Sequence, residues 1–207
     1  MAVTREQFES GMTYAAYKAQ MTRNREQVEQ NEKDLQLKPE DVQAFRSLPS
    51  RVSVVALAED WCGDVIANLP ILGRLEQESN GKLALRIHLR DQQPGATIMD
   101  EHLNKGQFKS IPTVVFLDES FKEVGVWVER PDSVTRLREE KRQALYAAHP
   151  EWGDPSKPIA ELPEDVRTQV QQATAALRNE TKPFANSEVV RELRELAQNA
   201  ASARQPA

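Results

Sequence analysis

Cysteine is almost absent from this chain: Cys62 is the only one in 207 residues. One cysteine excludes an intrachain disulfide and a zinc site built on several thiolates. It fits a reducing compartment, so a cytoplasmic location is expected. Histidine is scarce too. His88, His102 and His149 are widely spread, with no metal-ligand spacing among them, so neither a metal nor a cofactor is expected. Basic runs are missing and the formal net charge is −5. Without a cationic stripe to neutralise phosphates, nucleic acid is not an expected partner. No run approaches the roughly 18 apolar residues of a membrane span. The opening "MAVTREQFES" holds no apolar signal-peptide core, so no membrane partner is expected either.

What is present is 39% hydrophobic and 29% charged residues, enough apolar material for one core with solvated helices outside it. Residues 4–48 read as helix. Thr4 and Gln7 have capping-box spacing, and a second short helix follows Pro39. "RVSVVALA" (51–58) is a β-branched run that predicts a buried strand. "DVIANLPILGRLEQES" (64–79) predicts a helix kinked at Pro70, where a backbone donor is lost. "KLALRIHLRD" (82–91) alternates like a half-exposed strand. "ATIMDEHLNKG" predicts a short helix ending at Gly106. "TVVFLD" (113–118) and "EVGVWVE" (123–129) predict an antiparallel hairpin, and 132–148 a further helix. A Pro-rich link, "HPEWGDPSKP", is followed by two amphipathic helices, and the last seven residues read as disordered. The order β-α-β-α-β-β-α predicts an α/β fold, a mixed sheet with helices on both faces.

Several motifs occur in this order. "EDWCGD" places Trp61 before and Gly63 after Cys62, Pro70 follows eight residues past Cys62, "SIPTVVFLD" carries Ile111-Pro112-Thr113, and Gly125 lies in the next strand. Together they resemble the thioredoxin family over about residues 51–147. With helical extensions at both ends, the chain is similar to a bacterial subgroup of that family. The resemblance implies three segments: an N-terminal helical extension over 1–49, a thioredoxin-like domain over 50–148, and a C-terminal helical extension with a disordered tail over 149–207. It also implies a cis peptide before Pro112, facing the active site. Trp61, Gly63, Ile111 and Pro112 would then line the substrate groove, with Cys62 as nucleophile.

Two departures matter. The family's second cysteine falls at Val65, and its buried acid, six residues before the nucleophile, falls at Ala56. A mixed disulfide on Cys62 therefore has no partner thiol within the chain. The predicted position of Cys62, at a helix N-terminus, favours a thiolate. Glu59, Asp60 and Asp64 oppose it and are the expected modulators of its acidity. Asp91 reads as a turn residue. Arg130 reads as a solvated arginine, with contact to an anionic ligand as the other reading.

The expected function is a monothiol thiol–disulfide oxidoreductase, involved in redox homeostasis. Cys62 attacks a disulfide, and a low-molecular-weight thiol or another protein's cysteine resolves the adduct. The alternative is a binding or scaffold protein on the same fold, with Cys62 as a small buried apolar residue. The helical extensions suggest either cover for the fold or contact with a second copy.

Overall fold

In the computed structural model, residues 3–203 are described. The run Val52–Ala58 forms strand β1, and every residue of it is buried. It lies inside a four-stranded sheet of order β2-β1-β3-β4, with β2 spanning Leu83–Leu89, β3 Thr113–Leu117 and β4 Glu123–Val128. β1 pairs parallel with β2 and antiparallel with β3, and β3 and β4 form the antiparallel hairpin. A strand covered on both faces favours apolar residues throughout, and apart from Ser53 β1 reads as a run and not an alternation.

Helix α5 (Gly63–Glu78) leaves the end of β1 and returns the chain to β2. It continues through Pro70. Leu69, Leu72 and Leu75 are wholly enclosed, each burial stabilising the fold by roughly 1.5–3 kcal/mol. Helices α3 (Arg25–Asp34) and α4 (Pro39–Arg46) pack against α5.

The N-terminal region departs from one long helix. α1 (Arg5–Glu9) starts at the Thr4–Gln7 capping box and stops before Gly11. There the backbone lies so close to β2 that a Cβ on Gly11 would sit 2.7 Å from the Cβ of Arg86. Met12 then exchanges both backbone hydrogen bonds with Ile87, each 2.9 Å. Thr13 caps α2 (Tyr14–Gln20), and Asn24, at φ 57°, precedes α3. This segment also covers the edge of β2. His88 Nε2 contacts the Gln7 carbonyl at 2.8 Å. Ala84 and His88 are buried, so β2 is more enclosed than its alternation suggests.

α6 (Gly95–Glu101) ends earlier than Gly106. His102 binds the Ile98 carbonyl at 2.7 Å and Glu123 at 2.8 Å, which turns the chain before the glycine.

The chain falls into two compact units. One holds the residues up to Arg130 with those from Val189 onward, and the other is Pro131–Glu188. In the second, α7 (Asp132–Ala148) is followed by the segment read as a link. That segment instead buries Trp152 against Tyr146, Leu162 and Val170. The two expected C-terminal helices are one, α8 (Glu164–Ser202), with Pro183 inside it. No glycine follows Leu177 to stop the helix, and Pro183 removes one backbone donor without ending it. In the first unit, Glu192 of α8 accepts from Trp127 Nε1 at 2.8 Å, and Leu196 lies over Gly125. Of the tail read as disordered, Ala201 and Ser202 belong to α8 and the Ala201 carbonyl accepts from Ser50. Residues 204–207 lie outside the described residues. Among the described residues, no helix is long and apolar enough to cross a membrane.

Candidate functional site

The site is the turn between β1 and α5. Cys62 is the N-cap of α5, with extended backbone dihedrals (φ −84°, ψ 122°). Its backbone N–H donates to the Glu59 carbonyl at 3.2 Å, and its carbonyl accepts from Ile66 at 3.0 Å. The side chain does not cap the helix. The half-buried thiol instead donates to the backbone carbonyl of Ile111 at 3.4 Å.

The facing loop is held from several sides. The Ile111–Pro112 peptide is cis, and a second cis peptide precedes Pro94. The Pro112 carbonyl accepts from Glu129 N at 2.8 Å, and the Thr113 hydroxyl donates to the Ser110 carbonyl at 2.7 Å. Ile111 and Pro112 are buried, whereas Trp61 and Gly63 are exposed. Trp61 keeps 47% of its surface.

The three acids around Cys62 are each engaged. Asp60 Oδ2 accepts from Thr22 N at 2.7 Å, Thr22 Oγ1 at 3.1 Å and Arg23 N at 3.0 Å. Its own carbonyl accepts from Asn24 Nδ2 at 2.8 Å. Burial opposes its charge, but the bonds from Thr22 and Arg23 prevail and hold its carboxyl below the ordinary range. Glu59 accepts from Asp91 N at 3.2 Å. Asp64 pairs with Arg130 at 2.8 Å. Arg130 is therefore not the solvated residue expected from the sequence: the hairpin brings it to the first turn of α5, where it pairs with the Asp64 carboxylate.

Two further groups surround the turn that the sequence pattern does not point to. Arg90 leaves the end of β2 and stacks 5.1 Å from the centre of the Trp61 ring. It bonds Asp91 at 2.8 and 2.7 Å and the Lys109 carbonyl at 3.1 Å, joining the β2 end to the proline loop. The Asp91 bond holds the Arg90 guanidinium above its ordinary range, and Glu59 and Cys62 add to this. The second group is Tyr17 of α2. It is wholly enclosed, and its hydroxyl has no hydrogen-bond partner among the described residues. Burial pushes its phenol up, with Asp60, Glu59 and Cys62 adding to the shift. Neither residue is near Cys62 in the sequence, so spacing gives no signal for Tyr17. For Arg90 the one signal is its place beside Asp91.

Val65 and Ala56 are both wholly enclosed. The position of a second thiol and that of a buried acid are thus filled by hydrocarbon. Among the described residues, no three His, Cys, Asp or Glu side chains gather closely enough to hold a metal ion.

A family model described as thioredoxin matches residues 11–142. Among solved structures, the chain is similar to a protein of unknown function from Pseudomonas aeruginosa. That match has 21% identity and a TM-score of 0.57 and covers 87% of this chain and 99% of that one. It is also similar to an HIV epitope scaffold at 19% identity and a TM-score of 0.60, covering 94% of this chain and 99% of that one. At these identities the likeness extends to the fold. No curated protein matches the chain.

Proposed function

The chain belongs to the thioredoxin family, and from that premise we propose that it is a monothiol thiol–disulfide oxidoreductase with Cys62 as its nucleophile. The observation that carries this reading is the seat of the sulfur. The thiol is half-buried at the N-terminus of α5 and faces the Ile111 carbonyl across 3.4 Å.

In the first step, the Cys62 thiolate attacks one sulfur of a disulfide R–S–S–R′. A Cys62–S–S–R bond forms, the S–S bond breaks, and the electron pair leaves on R′S⁻, which takes a proton from water. With Val65 in the partner position, the adduct waits for an external thiol. That thiolate, R″S⁻, attacks the sulfur of R. R–S–S–R″ forms and the electron pair returns to Cys62. Substrate disulfide is reduced and the external thiol is oxidised. A compartment rich in small thiols, such as the cytoplasm, suits this cycle. Trp61 and Gly63 flank the sulfur on the exposed side, and Ile111 and Pro112 form the wall of the groove.

The test is intact mass measurement of the folded chain after incubation with a small symmetrical disulfide. One adduct, absent in Cys62→Ser and released by excess thiol, is expected. A folded chain that takes no adduct would contradict the reading.

A second reading, a thioredoxin-fold scaffold without turnover, draws on the wholly enclosed Val65 and Ala56. It predicts that Cys62→Ser leaves partner binding unchanged in a pull-down.

A further inference from the structure

Ser53 is the one polar residue of β1, and it is only 7% exposed. Its hydroxyl makes no hydrogen bond to a described residue. The register sets Val55 opposite Arg86, and side chains two apart on a strand share a face, so Ser53 and Arg86 stand on one side of the sheet. A cleft of about 480 Å³ opens on that side, lined by Ser53, Arg86, Arg5 of α1 and Arg51, which directly precedes β1. It lies at the start of β1, the opposite end of the strand from the turn that carries Cys62. In a chain of net charge −5, three arginines from three separate segments thus meet in one cleft.

Stacking places two of the three. Arg5 lies 4.2 Å from the centre of the Phe121 ring, Phe121 meets Phe8 edge to face at 5.4 Å, and Arg86 lies 5.4 Å from the Phe8 ring. A guanidinium over a ring face is held without using its N–H donors. Arg86 donates once, to the Leu85 carbonyl at 2.8 Å, and Arg5 reaches Glu9 only at 4.0 Å. Arg51 is exposed, and its guanidinium engages no described residue; its backbone N–H donates to Glu119 at 3.4 Å. Glu9 and Glu119 also line the cleft, so three cations face two carboxylates. Covering the rings accounts for Arg5 and Arg86 but not for Arg51 or the Ser53 hydroxyl. Arginine forks match oxyanions, and the cleft is within the roughly 300–1,000 Å³ of small-molecule sites. Donors from three positions call for more acceptor oxygens than the two of a carboxylate, and a phosphate monoester presents three. We propose that this cleft binds a small phosphate monoester. Its phosphoryl oxygens accept from Arg51, Arg86 and the Ser53 hydroxyl, and its organic part lies against Phe121.

The test is calorimetric titration of the full chain with phenyl phosphate and with inorganic phosphate, at an ionic strength matched with sodium chloride. Saturable binding of phenyl phosphate is expected, tighter than that of inorganic phosphate. Arg51→Gln and Arg86→Gln should each weaken it about tenfold, the loss of one hydrogen bond to a charged group. Ser53→Ala should weaken it about threefold while leaving the ligand-free melting temperature unchanged or raised, because the hydroxyl has no partner to lose. Cys62→Ser should bind as the original does, so the cleft and the proposed function stand or fall separately. Should Arg86→Gln fail to fold, Arg51→Gln decides the matter, since its exposed guanidinium holds nothing in the fold. No saturable binding, or an Arg51→Gln chain that binds as the original does, would overturn the proposal. Inorganic phosphate bound as tightly as phenyl phosphate would overturn the ester as its ligand.

Discussion

Arg130 holds Asp64 at 2.8 Å, bringing the segment after β4 to the first turn of α5, two residues past the sulfur. The pair keeps a carboxylate close to Cys62 from acting as a bare charge. Arg130→Gln removes the cation paired with Asp64 and leaves more negative charge beside the Cys62 sulfur. Cys62 alkylation at pH 7 is expected to slow by about three- to tenfold. Asp64→Asn in the same background should restore much of the rate, as followed by loss of free thiol over time.

Asp60 makes the opposite kind of contribution, to stability. Its folded-state carboxyl lies below the ordinary value of 3.8. A depressed acid stabilises the fold above its unfolded value, and that stabilisation is lost as pH falls through the lower folded value. The chain should therefore lose part of its stability below about pH 4. Asp60→Asn should cost about 1–2 kcal/mol at neutral pH and flatten that acid limb. Urea denaturation at pH 7 and pH 3 measures both.

Gly125 is one of the sequence markers for the fold, and the structure gives it a physical reason. A Cβ there would sit 2.6 Å from Leu196 Cδ2. Gly125→Val should destabilise the fold by about 1–3 kcal/mol through overpacking. Leu196→Ala should recover part of this in the double variant, so the two effects are non-additive in thermal melts.

The sheet was legible in the sequence where a local pattern carried it. The β-branched run of β1, the hairpin and the Ile111-Pro112-Thr113 segment each state their structure within a few residues. What could not be read depends on contacts between distant segments. The N-terminal helix breaks at Gly11 because Arg86 and His88 lie against it, and Met12 pairs with Ile87. Trp152 is buried with Tyr146, Leu162 and Val170, not by its own proline-rich neighbours. The same holds at the site. Cys62 and Pro112 declare themselves through motifs. Tyr17, Arg90 and the Arg130–Asp64 pair reach the turn only through the tertiary fold.

Val65→Cys tests why the cycle needs an outside thiol. Cys62 is the N-cap of α5 and Val65 stands three residues on, the spacing at which helix residues are neighbours on one face and a thiol pair can close. Oxidation of this variant should give an internal disulfide between Cys62 and the introduced thiol, and the mixed disulfide with a small thiol should no longer accumulate. Mass measurement before and after reduction distinguishes the two products.

The central claim is that Cys62 turns over with an external thiol as the resolving partner. Its most direct measurement is the steady-state reduction of a small mixed disulfide by excess low-molecular-weight thiol, with the chain present in catalytic amount. The account predicts a rate proportional to chain concentration, rising with the external thiol and abolished in Cys62→Ser. A rate equal to that of the thiol alone, with the folded chain present and Cys62 reduced, would contradict it.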